Sequence, residues 1–204
     1  MVRVKVCGFT TEDDIHAACQ VGVDAIGLNL ASGPRRIDLE QAVALAAATP
    51  PLVTVVLLFV DAGLDTIRHA LRATRAGAVQ LHGNEPPELA AALREEVPVI
   101  KAFRVRDAAT LDAISAYPAD AYLLDAYVPG QAGGTGASWD HRLLAGRDLG
   151  RPLILAGGLT PHTVAQAVAD VRPWAVDTAS GVESAPGRKD PAQIEAFIQA
   201  LRSA

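Results

Sequence analysis

A thiol, an imidazole and two carboxylates recur in this sequence at one kind of place, the end of a short apolar segment. Cys7 closes Val2–Cys7, His82 follows Ala78–Leu81, Asp125 closes Ala121–Asp125 and Asp177 closes Ala175–Asp177. These are the groups of general acid–base chemistry: a thiolate or imidazole takes a proton, and a carboxyl gives one up. Strand alternation puts Lys5 on the face of Cys7 and Gln80 on the face of His82, with Val4, Val6, Leu81, Leu124 and Val176 on the opposite face. Taken singly, each has an ordinary use. Cys7 can be a small buried filler and His82 a hydrogen-bonded packing residue, while Asp125 and Asp177 can be caps or partners of Lys5 and the arginines. Four at one geometric level argue for a site, because buried charge is costly without a reason.

Three further stretches have the chemistry of anion holders. Gly157 and Gly158 lie in "LAGGLT", and Ser180 and Gly181 lie in "DTASGVE". Glycines let backbone N–H groups approach phosphate oxygens closely, although they also suit tight turns. "GPRRI" places Arg35 and Arg36 together, and a guanidinium can hold a carboxylate through two parallel hydrogen bonds.

Something must bring these scattered positions together. Apolar segments with β character alternate with segments of helical spacing along the chain. The former are Val2–Cys7, Ala25–Leu30, Leu52–Val60, Ala78–Leu81, Val97–Phe103, Ala121–Asp125, Pro152–Ala156 and Ala175–Asp177. The latter are Glu12–Gln20, Leu39–Ala48, Leu64–Ala73, Glu88–Glu95, Ala108–Ala116, Trp139–Leu144, Pro161–Ala169 and Pro191–Leu201. Strand then helix, repeated, implies a parallel sheet. Eight rounds in 204 residues is the count and size of a compact (β/α)8 TIM barrel, an α/β fold, here one domain over 1–204. A doubly wound open sheet is the alternative, and no GxGxxG follows the first strand. Thr11 suits the N-cap of the first helix, Gly22 its end, and Pro161 and Pro191 first-turn positions. In such a barrel the C-terminal strand ends and the loops after them build the site, and the loops after the last two strands often take phosphate. The glycine-rich loop Pro129–Ala137, "PGQAGGTGA", is either a connector or a mobile cover over that site.

Bulk properties narrow the class. The chain is 50% hydrophobic and 20% charged, with a formal net charge of -5 and 4% aromatic residues. That describes a soluble globular protein without the basic tract of a nucleic-acid binder. The longest apolar run is too short to span a bilayer, and Lys5 and Glu12–Asp14 interrupt any leader-like stretch, which leads us to expect a cytoplasmic protein. Cys7 and Cys19 stand in no metal-ligand spacing, and a reducing compartment disfavours a disulfide.

The motifs also occur in a familiar order. "VKVCGFT", "VQLHGNE", "LLDAY", "GGTG" with Trp139 behind it, "LAGGLTPHTV" and "VDTASGVES" followed by "PGRKD" together resemble the phosphoribosylanthranilate isomerase family of tryptophan biosynthesis, from Arg3 to about Asp190. The resemblance implies a (β/α)8 barrel with no metal or organic cofactor, a small phosphosugar substrate, and a monomer or homodimer. It implies an Amadori rearrangement of N-(5-phosphoribosyl)anthranilate, with Cys7 as general base, Asp125 as general acid and Arg35 as the carboxylate-binding arginine. Arg36 stands where the family commonly has an aromatic residue, the loop before it is about a residue short, and Asn29 occupies a usually apolar strand position.

The same roles can be argued from the chemistry. Opening the sugar ring needs a proton on the ring oxygen as the C–O bond breaks, and Asp125 can donate it. The resulting Schiff base acidifies the neighbouring C–H, whose proton needs a base; a thiolate serves if its pKa is lowered. Lys5 could lower it or could pair with Asp125. Gln80, His82 and Asp177 are expected to position substrate. Two other readings keep the phosphate loops: another phosphosugar isomerase or epimerase, and a non-catalytic phosphosugar-binding barrel. An epimerase would want metal-binding histidines, and the histidine-pathway isomerase an Asp in place of Cys7; the sequence has neither.

Overall fold

The computed structural model describes residues 1–105, 111, 114–126, 144 and 147–203. Eight parallel strands close into a barrel in chain order: β1 (Arg3–Cys7), β2 (Ala25–Asn29), β3 (Thr54–Phe59), β4 (Ala78–Leu81), β5 (Val99–Val105), β6 (Ala121–Ala126), β7 (Leu153–Leu155) and β8 (Ala175–Thr178). β8 pairs back onto β1, with Lys5 beside Asp177. Between strands run α1 (Glu12–Val21), α2 (Leu39–Ala48), α3 (Leu64–Thr74), α4 (Pro87–Arg94) and α5 (Val164–Val171), and α6 (Pro191–Arg202) follows β8. The expected helices over 108–116 and 139–144 and the glycine-rich loop 129–137 lie largely or wholly outside the described residues.

Alternation does the sorting. Val4 and Val6, Ile26 and Leu28, Leu57 and Phe59, Val79 and Leu81, Tyr122 and Leu124, and Val176 point outward and pack with the helices in one large core. Inward, Ala102, Ala121, Leu123, Ile154, Ala156 and Ala175 form a smaller core of short side chains with Ile100. That inner core lies inside the barrel, and the polar ends of the strands meet at the mouth. Among the described residues no helix is long and apolar enough to cross a membrane.

The helix ends follow local chemistry. Thr11 caps α1 by accepting from the Asp14 N–H at 3.3 Å, three acidic residues fill its first turn, and Gly22 closes it at φ 98. Pro191 opens α6 behind an Asp190 cap. Pro161 does not open a helix: it lies in a turn, and α5 begins only at Val164 behind Thr163. The Thr163 side chain instead accepts from the Thr160 N–H at 2.9 Å and holds that turn. A short antiparallel hairpin, β9 (Glu183–Ala185) and β10 (Arg188–Lys189), follows β8.

Candidate active site

The C-terminal strand ends surround a cavity of about 330 Å³. Ten of the residues singled out in the sequence line it: Cys7, Arg35, Gln80, His82, Asp125, Gly157, Gly158, Asp177, Ser180 and Gly181; Lys5 and Arg36 do not. The sulfur and the carboxyl therefore face one space. Arg36 is exposed, and its backbone bridges Asn29. Asn29, unusual in a barrel strand, ties off the same loop by donating to Ser32 O and accepting from the Ala31 N–H.

Cys7 occupies the top of β1 opposite Gly27 of β2. One step lower, Lys5 bonds Asp177 at 2.8 Å. The register of β1 against β8 selects Asp177 rather than Asp125 as its partner. Burial works against the Lys5 ammonium, but Asp177 and Cys7 outweigh it and raise its pKa. Burial pushes the Cys7 thiol above its ordinary value, against the pull of Lys5 and Lys189. Of the two uses open to Lys5, it pairs with an aspartate, and its pull on the thiol is smaller than the effect of desolvation. Burial likewise raises Asp177, opposed by Lys5.

Across the cavity, Gln80 Nε2 lies 2.9 Å from His82 Nδ1, and His82 Nε2 lies 3.5 Å from Asp125 Oδ2. A donated hydrogen bond from the Gln80 amide places the ring proton on Nε2, facing Asp125. β4 and β6 do not pair with each other, so the contact crosses over β5.

The two glycine loops adjoin. Gly157 and Gly158 have φ of 92 and 65, a backbone open to glycine. A Cβ at Gly181 would collide with the carbonyl of Leu159, and Thr178 Oγ1 donates to that same oxygen at 2.8 Å. The backbones of the two loops therefore approach each other as closely as glycine permits. Together they make one end of the cavity; Arg35 stands on the β2 side.

Sequence reasoning missed five charged groups: Glu183, Lys189, Lys101, Glu85 and Arg104. Arg35 is bound by Glu183 through Nε at 2.8 Å and Nη2 at 2.7 Å. Lys189, almost wholly buried, bonds Glu183 at 2.7 Å and the carbonyl of Cys7 at 2.6 Å. Lys101 and Glu85 form a buried pair at 2.8 Å under the loop after β4. Arg104 follows Ile100 and Ala102 on the inward face of β5, beside Asp125 in register, and its Nη2 donates to the His82 carbonyl at 3.3 Å. The alternation in "IKAFRV" was the available signal for Arg104; nothing local marked the partners of the others. Among the described residues no group of three or more His, Cys, Asp or Glu is placed to hold a metal ion.

A closed parallel barrel with a thiol, an imidazole, carboxylates and paired glycine loops at the C-terminal strand ends has the make-up of a (β/α)8 enzyme for small anionic substrates. A sequence model described as N-(5'phosphoribosyl)anthranilate (PRA) isomerase matches residues 4–200. N-(5'-phosphoribosyl)anthranilate isomerase of Geobacter metallireducens is 45% identical over 204 residues, covering 100% of both chains. Phosphoribosyl anthranilate isomerase from Thermotoga maritima superposes with a TM-score of 0.94 at 37% identity, covering 100% of both chains. A structure of phosphoribosyl anthranilate isomerase in complex with reduced 1-(o-carboxyphenylamino)-1-deoxyribulose 5-phosphate superposes at 0.91 with 36% identity and the same coverage. The chain belongs to the phosphoribosylanthranilate isomerase family.

Proposed function

We propose that this protein converts N-(5-phosphoribosyl)anthranilate to 1-(2-carboxyphenylamino)-1-deoxyribulose 5-phosphate, an aldose–ketose isomerisation in L-tryptophan biosynthesis. The observation that carries the reading is the single cavity onto which Cys7, Asp125, Arg35 and both glycine loops open.

Asp125 is the general acid. It protonates the furanose ring oxygen as the C1–O bond breaks, and the nitrogen lone pair forms the Schiff base. Cys7 is the general base. Its thiolate removes the C2 proton, whose electron pair moves to give an enolamine, and tautomerisation of the enolamine yields the ketone. His82 and Gln80 orient Asp125 through the 2.9 Å and 3.5 Å contacts between them. Asp177 and Lys5 form the charged floor beneath the thiol. Phosphate is held by backbone N–H groups of the Gly157–Gly158 and Ser180–Gly181 loops. The anthranilate carboxylate goes to Arg35.

Freshly prepared phosphoribosylanthranilate supplies the test, followed by the loss of its fluorescence with and without a chelator. Turnover is expected to be unaffected by the chelator. Each proton transfer is worth about a hundred- to ten-thousand-fold. Cys7→Ala and Asp125→Ala are therefore each expected to lower kcat at least about a hundredfold in folded protein. Near-normal kcat in either variant removes that residue from its role.

A further inference from the structure

The hairpin after β8 holds charges that the acid–base chemistry does not use. Glu183 begins its first strand and Lys189 ends its second, and the two are register partners. The Glu183 carboxylate takes Nε and Nη2 of Arg35 at 2.8 and 2.7 Å. Oε1 of the same group takes Lys189 Nζ at 2.7 Å. That ammonium has two further acceptors, the carbonyls of Cys7 at 2.6 Å and Ala179 at 3.2 Å. Burial lowers the Lys189 pKa against the pull of Glu183, while Glu183 itself is held below its ordinary value by Arg35 and Lys189 despite burial.

The hairpin is also fixed from outside. Thr10 Oγ1 donates to the Gly187 carbonyl at 2.6 Å, and the Lys189 N–H donates to Asp14 at 2.9 Å. On the cavity side the Arg35 side chain runs over Gly8, where a Cβ would collide with its Cδ. The arginine is thus laid against the residue that follows Cys7 and held at its far end by a carboxylate.

A guanidinium has five N–H donors in a rigid fork. Glu183 occupies the edge formed by Nε and Nη2. Among the described residues the opposite edge, Nη1 with the second hydrogen of Nη2, makes no hydrogen bond, which leaves a second two-donor face on a residue that lines the cavity. The three charges also do not cancel. Arg35 and Lys189 are positive and Glu183 negative, which leaves one net positive charge for an incoming anion.

We propose that Glu183 is a positioning residue for Arg35, presenting its free edge to the substrate carboxylate, and that Lys189 is the counter-cation that keeps the Arg35–Glu183 pair attractive to an anion. The inference rests on the reading of Arg35 as the carboxylate holder. If Glu183 were paired with Arg35 alone, the pair would be neutral and would place a second carboxylate beside the substrate's own. Lys189 removes that repulsion and ties the assembly to the backbone of Cys7.

The test is a double-mutant cycle in kcat and KM on phosphoribosylanthranilate, using wild type, Glu183→Gln, Arg35→Ala and the combined variant. In the wild-type background Glu183→Gln is expected to raise KM about tenfold, on the scale of one hydrogen bond to a charged group, with kcat kept within about threefold. In the Arg35→Ala background the same change is expected to move KM by less than about twofold, because Glu183 acts through Arg35. An equal rise in both backgrounds, or none in the first, overturns the proposal while leaving the isomerase reading intact. Should Glu183→Gln fail to fold, because Lys189 is left buried without its partner, Glu183→Gln/Lys189→Met removes both charges and is read in the same two backgrounds with the same expectations. A wild type that does not convert phosphoribosylanthranilate sinks the isomerase reading and this inference together, and is seen before any variant is compared.

Discussion

Gly27→Ala probes the position of the Cys7 sulfur without touching Cys7. Gly27 is the β2 residue opposite Cys7. A Cβ there would sit 2.6 Å from Cys7 Sγ, 3.0 Å from its Cα and 3.1 Å from its Cβ. A non-bonded carbon–sulfur contact wants about 3.5–4.0 Å, so the sulfur is short of room by roughly 1 Å. The backbone cannot open easily to relieve this, since the Gly27 carbonyl accepts from the N–H groups of Gly8 at 2.8 Å and Phe9 at 3.2 Å. Overpacking of this kind costs about 1–3 kcal/mol, which lowers Tm by about 2–12 °C in a chain of this size. Misplacing a catalytic group by about 1 Å costs about a hundredfold in rate. The expected result is kcat down about a hundredfold, with KM within about threefold because the phosphate loops and Arg35 are untouched. Fluorescence decay of phosphoribosylanthranilate measures both constants, and thermal melting follows the fold. In a Cys7→Ala background the contact with Sγ is gone while those with Cα and Cβ stay, so part of the Tm loss should disappear. Folded Gly27→Ala with kcat within about threefold of wild type would refute the placement of the base at Sγ.

Four further outcomes are expected. Because burial holds the Cys7 thiol above its ordinary value, its thiolate fraction grows about tenfold per pH unit below that value; kcat/KM measured between about pH 6 and 8 should climb with pH, and a flat profile there counts against Cys7 as the titrating base. Glu85→Gln strips the buried Lys101 of its counter-ion; stability should fall by about 3–5 kcal/mol and Tm by about 6–20 °C, with the active-site residues left in place. Burial raises the Glu85 carboxyl, but Lys101 and backbone N–H groups outweigh it, and its net pKa is lowered. The stability it contributes is therefore full above the unfolded value of about 4.3 and is lost as pH falls through the lower folded value, so acid should cost wild type more than Glu85→Gln in pH-dependent melting. Gly181→Ala drives a methyl into the Leu159 carbonyl and to 2.8 Å from Thr178 Oγ1, parting the two glycine loops; KM should rise about tenfold or more, by the loss of one charge-assisted hydrogen bond to phosphate, and an unchanged KM would move the phosphate elsewhere.

Periodicity was enough to find the barrel because the signal there is local. "RVKVC" and "AYLLD" each alternate within one strand, and the outward residues of each enter the helix-facing core while the polar ends turn in. Helix starts were legible for the same reason: Thr11 and Asp190 are caps whose partners lie within three residues. Pro161 misled because a proline fits the turn before a helix as well as its first turn, and the Thr160–Thr163 hydrogen bond decides between them. The residues proposed as acid and base were readable as strand-end residues, and they line one cavity. Glu183 and Lys189 were not readable as partners of Arg35 and Cys7, which stand 148 and 182 residues away along the chain. No property of "SGVESAPGRKD" alone says which arginine the glutamate will hold.

Register supplies what periodicity lacks, and it explains why the charges fall as they do. Lys5 had two candidate partners by composition, and β1 against β8 puts Asp177 beside it while Asp125 belongs to β6. The pairing has a chemical consequence. With Lys5 taken by Asp177 at 2.8 Å, Asp125 is left to meet His82 across β5 at 3.5 Å. The proposed acid and base thereby have different nearest partners, an ammonium–carboxylate pair under the thiol and an imidazole beside the carboxyl, and Asp177 feels both sides through Lys5, Asp125 and His82. A one-residue slip of β1 would turn Lys5 and Cys7 outward among the helices and bring Val4 and Val6 inside. The hydrophobic stripe that drives folding therefore also fixes which cation faces which carboxylate, and a substitution that weakens the outward packing of Val4 or Val6 acts on the proton chemistry through the register of β1.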